Sequence, residues 1–165
     1  QNTQLLPQYC KDRAKGVGSA EFKKWRGTFG EAFPHIHHYC DGIYAEQKAK
    51  GTLDQRQRKR WLATVLHEMQ YVGRHCQSGC VLYPELHSRW GWALRQTGQP
   101  AEAIKHFQLA IRAKPKYTPA YAKLSDLYVE LEQSEDARRV LRDGLEIKPD
   151  SRMLNRRLEK LEKSQ

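Results

Sequence analysis

The stretch PELHSRWGWALRQTGQPAEAIKHFQLAIRAKPKY (residues 84–117) is followed directly by TPAYAKLSDLYVELEQSEDARRVLRDGLEIKPDS (residues 118–151), and the two are related in sequence. Small, bulky apolar and proline residues recur after 34 residues, which pairs Gly91 with Ser125, Ala103 with Ala137, Phe107 with Leu141, Ala110 with Gly144, and Pro115 with Pro149. A fixed period of this length is typical of helical repeat proteins, in which each unit buries its apolar face against a neighbour.

This pattern resembles the tetratricopeptide repeat family, whose unit is a pair of antiparallel helices. The resemblance implies that the small residues let the two helices of a unit approach closely and that the bulky residues fill the space between them. Pro115 and Pro149 are predicted to end the second helix of each unit, because proline lacks an N–H group and disfavours helix at the preceding residue. Glu132 departs from the pattern, since Gly98 occupies the same turn position in the first unit.

The remaining sequence predicts further helices on both sides of the two repeats. Apolar residues recur every three or four positions over residues 19–50, which predicts one long helix that Pro34 kinks or divides. A second helix is expected over residues 54–75, so residues 19–82 are predicted to form a helical pair that acts as a degenerate repeat. Residues 1–18 are predicted to be an extended arm, and residues 152–165 a capping helix with one apolar stripe. The fold class is therefore expected to be all-α, a continuous right-handed α-solenoid of helix–turn–helix repeats.

Four cysteines are present, and they permit three pairings. The preferred pairing joins Cys10 to Cys40, which would fix the arm along the long helix, and Cys76 to Cys80, which would close a small ring before the repeats. Residues 6–10 (LPQYC) and 37–40 (HHYC), followed by the repeats, also resemble a group of bacterial exported repeat proteins.

The composition indicates a folded protein that is rich in positive charge. Of 165 residues, 39% are hydrophobic, and 29 Lys and Arg against 19 Asp and Glu give a net charge of +10. This charge favours acidic partners. The sequence opens on Gln1, which is read as a processed terminus or a trimmed one. Together with the even number of cysteines, this favours a periplasmic, secreted or cell-surface location.

The predicted function is that of a non-enzymatic scaffold or adaptor that binds a protein or peptide in a concave groove. In the tetratricopeptide family the first helix of each unit lines that groove, and the resemblance assigns partner binding to Ser88, Trp92, Arg95 and Asp126. Trp92 is the most informative of these, because an exposed tryptophan beside an arginine is typical of an interface hot spot. Some family members hold a partner's terminal carboxylate with a Lys and an Asn, and this chain has Ser88 and Trp92, then Ala122 and Asp126, at those positions.

Other functions are weighed against this one. No phosphate-binding loop or catalytic motif is present, so no enzyme and no cofactor are predicted. The basic run at residues 56–60 is read as a solvated helix face, which makes nucleic acid an unlikely partner. A metal or haem site at His35 and His38, within the segment that ends at Cys40, is kept as an alternative because imidazole and thiolate bind such ions. A second alternative is a self-assembling subunit, a homo-oligomer or filament, because the ends of a solenoid are complementary surfaces.

Overall fold

The computed structural model describes residues 6–163, and every regular element in that range is helical. The α-helices are α1 (Gln8–Asp12), α2 (Ala20–Phe29), α3 (Ile36–Gly51), α4 (Gln55–His75), α5 (Tyr83–Gln96), α6 (Pro100–Ala113), α7 (Thr118–Glu130), α8 (Ser134–Ile147) and α9 (Arg152–Glu162). Within residues 6–163 no helix is both long enough and apolar enough to cross a membrane. The chain divides into two compact units, residues 1–86 and 87–165.

The segment predicted as an extended arm is folded where the structure describes it, so that prediction is wrong for residues 8–15. These residues form α1 and a 3-10 turn (Arg13–Lys15), while residues 1–5 lie outside the described range. The buried Asp12 carboxylate accepts hydrogen bonds from Gln8 Nε2 at 2.8 Å and from Trp25 Nε1 at 3.0 Å. A polar segment is ordered here because its polar groups have partners on α2, which composition alone does not reveal.

Residues 19–51 are divided as the sequence predicts, at Pro34. Ser19 caps α2, its hydroxyl accepting a hydrogen bond from Phe22 N at 3.1 Å. Gly30 then takes a left-handed conformation with φ of +54°, and a 3-10 segment (Gly30–His35) containing Pro34 leads into α3. Proline cannot accept a continuous α-helix around it because its ring clashes with the preceding turn.

Helices α3 and α4 form the core of the first unit. Tyr39, Ile43, Val65 and Met69 are fully buried, and the Cα of Gly42 is so close to α4 that a Cβ there would lie 2.3 Å from Met69 Cε. Asp54 caps α4 and accepts hydrogen bonds from the N–H groups of the next turn.

Two disulfides lie in the first unit, and they have the pairing preferred from the sequence. Cys10 in α1 is bonded to Cys40 in α3 with an S–S distance of 2.04 Å, and Cys76 is bonded to Cys80 just after α4. The Cys10–Cys40 bridge attaches α1 covalently to the buried face of the α3–α4 hairpin.

The second unit contains the helices of the sequence repeat. The residues that pair at a spacing of 34 occupy equivalent buried positions, and Phe107 and Leu141 are both fully buried. A Cβ on Gly91 would lie 2.8 Å from Phe107 Cε1, which shows how closely α5 and α6 approach. Helices α6 and α8 end two residues before Pro115 and Pro149 respectively, as predicted.

Helix α9 covers the end of the second unit. Its Leu154 is fully buried against Tyr121, Ala122 and Leu141. Met153, which the sequence placed in the apolar stripe of this helix, is instead 41% exposed. The last two residues of the predicted cap, 164 and 165, lie outside the described range.

Candidate functional site

A groove of about 420 Å³ opens in the second unit. Its walls are α7 and α9, with contributions from the last turn of α5 and the first residue of α8, and its lining consists of Arg95, Ser125, Asp126, Val129, Glu130, Ser134, Arg157, Lys160 and Leu161. Helices α5 and α7 are the first helices of the two repeats, so the groove lies on the helix set from which the sequence analysis expected a binding surface.

Arg95 and Glu130 form the first ion pair of the groove and join α5 to α7. Arg95 Nε donates to Glu130 Oε2 at 2.7 Å, and Arg95 Nη2 donates to Glu130 Oε1. The Arg95 side chain is only 16% exposed, whereas that of Glu130 is 53% exposed. The hydrogen bond from Arg95 lowers the pKa of Glu130, so this carboxylate is ionised at neutral pH.

Asp126 and Arg157 form the second ion pair and join α7 to α9. Arg157 Nε donates to Asp126 Oδ1 at 2.8 Å and Nη2 donates to Oδ2 at 2.9 Å, which is the two-bond geometry preferred between guanidinium and carboxylate. Arg157 Nη1 also donates to the Met153 carbonyl at 3.3 Å. The hydrogen bond to Asp126 raises the pKa of Arg157 still further above neutrality.

Apolar surface is present in the same groove. Val129 follows Asp126 by one helical turn and is 43% exposed, and Leu161 of α9 is partly buried beside it in the lining. The groove therefore combines two guanidinium groups held in place by carboxylates with a small apolar surface, which is a combination suited to a peptide side chain flanked by charge.

The structure brings together two of the four residues predicted to bind a partner. Arg95 and Asp126 both line the groove. Ser88 does not, and its assignment is corrected because the side chain is fully buried. The Ser88 hydroxyl accepts a hydrogen bond from Lys123 Nζ at 3.0 Å, and the Ser88 carbonyl accepts one at 3.3 Å, so this serine joins α5 to α7.

Trp92 is half-buried and is not part of the groove lining. Arg157, which the sequence analysis placed on the polar side of a capping helix, is instead a central residue of the groove. Extending the repeat register beyond residue 151 would have found it, because α9 then becomes the first helix of a third unit.

The histidines proposed as metal ligands have other partners in the first unit. His38 Nδ1 lies 2.7 Å from the Glu68 carboxylate, whereas the His35 ring stacks on His75 with centroids 3.7 Å apart and its Nδ1 lies 3.2 Å from the Tyr71 hydroxyl. Burial and the neighbouring His75 lower the pKa of His35. Across residues 6–163, no three His, Cys, Asp or Glu side chains are grouped so as to hold a metal ion.

Comparison with known proteins concerns mainly the second unit. Residues 94–156 match the tetratricopeptide repeat family. That segment begins in α5 and ends in α9, so it contains the entire groove. No curated protein sequence matches the chain.

Solved structures of tetratricopeptide proteins have a similar fold. A thermophilic protein of this type from Thermus thermophilus superposes with a TM-score of 0.67 at 14% identity, over 93% of this chain and 86% of that one. The first tetratricopeptide domain of Spaghetti (RPAP3), bound to the HSP90 peptide SRMEEVD, gives 0.55 at 16% identity over 75% and 94%. The Sgt2 domain from Aspergillus fumigatus gives 0.56 at 16% identity over 75% and 78%. The predicted all-α class, built from helix–turn–helix repeats, is confirmed.

Proposed function

We propose that this protein is a non-enzymatic adaptor whose second unit binds an acidic peptide segment of a partner protein. The observation that carries the proposal is the groove in which the Arg95–Glu130 and Asp126–Arg157 pairs lie on either side of the exposed Val129. Spaghetti, which is similar in fold, is described as bound to a peptide rich in acidic residues, and this supports peptide binding as a use of such a groove.

The charge of the groove favours an acidic peptide. Arg95, Arg157 and Lys160 outnumber Asp126 and Glu130 by one among the residues that line it, and the whole chain carries +10. Glu130 is more than half exposed, so a carboxylate of the partner can replace it on Arg95 without leaving that buried guanidinium unpaired. Complementary charge of this kind raises the association rate as well as selectivity.

The groove is not suited to the carboxylate clamp used by some tetratricopeptide proteins. Ser88, at a clamp position, is buried and hydrogen-bonded to Lys123. Asp126, at another clamp position, places a carboxylate where such a clamp has an amide, and a terminal carboxylate of the partner would be repelled there. We therefore propose that internal acidic side chains of the partner, and not its chain end, are recognised.

We further propose that the protein works in the periplasm or at the cell surface. The Cys10–Cys40 and Cys76–Cys80 disulfides support this, because such bonds persist in oxidising compartments. The test is the intact mass of protein isolated from its native cells, before and after reduction and alkylation. Two bridges agree with export, and four free thiols contradict it.

The peptide proposal is tested with a displayed library of random 12-residue peptides, selected on the full chain. We expect selected peptides to be acidic with an apolar residue between the charges. Their affinity should fall about tenfold or more for Val129→Asp and Arg157→Gln, as expected for central interface residues. Glu130→Gln should bind more tightly, because it removes the competing carboxylate.

The matched control is Arg112→Gln, which removes an exposed positive charge from α6, away from the groove. Affinity changes within twofold are expected for this variant, and all variants are checked for unchanged helicity. Peptides that are basic, or that bind Arg157→Gln as well as the unmodified protein, contradict the proposal. Light scattering over a concentration series tests the alternative of a self-assembling subunit, for which the mass would rise with concentration.

A further inference from the structure

A second cavity, of about 660 Å³, lies in the first unit, away from the groove described above. It is formed by the 3-10 turn after α1, the loop that follows it, α2, the 3-10 segment containing Pro34 and the start of α3. Its lining consists of Arg13, Val17, Phe22, Arg26, Gly30, Glu31, Phe33, Pro34, Ile36 and His37. A volume of this size is in the range of small-molecule sites.

The interior of this cavity is apolar. Phe33 and Ile36 are buried, and the ring of Phe22 meets that of Phe33 edge to face with centroids 4.7 Å apart. Val17 lies in the loop between Gly16 and Gly18 and is 72% exposed, although it belongs to the same lining. The exposed valine therefore extends the apolar surface of Phe22, Phe33 and Ile36 toward solvent.

The charged side chains of this cavity include two arginines without a protein partner. Within residues 6–163, neither the Arg13 nor the Arg26 side chain makes a hydrogen bond or an ion pair. The nearby carboxylates of Asp12 and Glu21 are both paired with Lys15 at 2.9 Å. Both arginines thus remain available to an anion from outside the chain.

Two further titratable groups line the cavity. Glu31 contributes one negative charge. Burial, His38 and Arg13 lower the pKa of His37, which makes this imidazole mostly neutral at pH 7. The cavity is therefore apolar inside with a net charge of about +1 from two arginines and one carboxylate.

We propose that this cavity binds a fatty acid, with the acyl chain against Phe22, Phe33 and Ile36 and the carboxylate on Arg13 and Arg26. Burial of the acyl chain supplies most of the binding free energy, in proportion to its apolar area. Guanidinium groups select the carboxylate because they match its geometry with two parallel hydrogen bonds. This site is independent of the peptide groove, since its residues all lie in the first unit.

The test compares three probes that share one chain and differ in the head group: decanoate, 1-decanol and decyltrimethylammonium. We expect calorimetry to show saturable 1:1 binding of decanoate, at least tenfold weaker binding of the alcohol and no binding of the cation. Nuclear magnetic resonance should show shift changes at the methyl groups of Val17 and Ile36 but not at Val129 of the peptide groove. Equal binding of the cation, or no saturable binding of decanoate, overturns the proposal.

Single substitutions then test the two arginines. Arg13→Gln and Arg26→Gln should each weaken decanoate binding about fivefold, and Glu31→Gln should strengthen it, because these changes alter the charge around the carboxylate. Lys23→Gln is the matched control, since it removes an exposed charge from the same helix without touching the cavity. Unchanged affinity in both arginine variants overturns the assignment.

A final probe separates a fatty acid from the end of a peptide. N-acetyl-Gly-Gly-Leu also carries a carboxylate next to an apolar side chain, but it has a much shorter hydrocarbon. Binding of this peptide at the Val17 and Ile36 methyl groups with an affinity equal to or above that of decanoate overturns the fatty-acid assignment. Weaker binding of the peptide than of decanoate supports it.

Discussion

Gly98 and Glu132 lie 34 residues apart in equivalent turns, and both have a left-handed backbone, with φ of +74° and +60°. The hydrogen bonds around them are also equivalent. Gln99 N donates to the Leu94 carbonyl at 2.9 Å in the first turn, and Gln133 N donates to the Tyr128 carbonyl at 2.8 Å in the second. Each first helix thus ends in the same closing motif, although only one of the two turns has the residue that favours it.

Glu132→Gly is expected to stabilise the second unit by about 1 kcal/mol. A non-glycine residue in the left-handed region brings its Cβ close to the following carbonyl oxygen, and glycine removes that contact. The measurement is the free energy of unfolding in urea. Glu132→Gln, which removes only the charge, should leave that free energy nearly unchanged, and an equal gain in both variants would refute the backbone explanation.

Gly98→Ala is expected to have the opposite effect on the same turn. With φ of +74°, an alanine there is strained even though nothing lies within 4 Å of its Cβ. A loss of about 1 kcal/mol in the free energy of unfolding is predicted. A variant as stable as the unmodified protein would show that the turn has relaxed to another conformation.

Gly91→Ala is expected to destabilise the protein by about 1–3 kcal/mol, because the new methyl group must displace the buried Phe107 ring. This loss opposes the gain in helix propensity that alanine brings. Gly27→Ala in α2 is the matched control, since no atom lies within 4 Å of its Cβ. We expect Gly27→Ala to be neutral or stabilising, and similar losses at both positions would contradict the close approach of α5 and α6.

Stability is expected to fall as the pH drops from about 7 toward 4, through His87 and His106. Their Nδ1 atoms are 2.8 Å apart, and burial lowers the pKa of each ring from 6.5 to about 4, His106 adding to the effect on His87. The unfolded chain therefore binds more protons than the folded one in this range, so the contribution is fully present above pH 6.5 and is lost below it.

The measurement is the urea midpoint at pH 7.5 and pH 5 for the unmodified protein and for the double variant His87→Gln, His106→Gln. A loss of the order of 2 kcal/mol between the two pH values is expected from one such histidine. The double variant should lose distinctly less over the same interval. Parallel pH profiles would show that neither histidine is kept neutral by the fold.

Removal of the two disulfides should have unequal effects. Cys10 and Cys40 are separated by 30 residues, whereas Cys76 and Cys80 are separated by four. In the chain-entropy description, the first bridge is worth about 4 kcal/mol and the second about 2 kcal/mol. We expect Cys10→Ser, Cys40→Ser to lower the thermal midpoint more than Cys76→Ser, Cys80→Ser, and the reverse order would show that the short ring supports more structure than its length suggests.

Repetition in the sequence predicted the two helix pairs, their ends and the small residues at their contacts. It did so because Gly91 and Ser125, or Pro115 and Pro149, must each meet the same local requirement. The ordering of residues 8–15 was not predictable, because it depends on a hydrogen bond from Trp25 to Asp12 that joins two separate helices.

The sequence by itself determined the all-α class, because helical periodicity and a 34-residue repeat are local properties that adjacent residues encode. Only the tertiary structure decided which polar residues face a partner. Ser88 and Asp126 both looked available along their helices, yet Lys123 reaches the first, while Arg157 holds the second at the edge of an open groove. The exposure of a side chain depends on what other helices place against it, and that is a property of the packed chain.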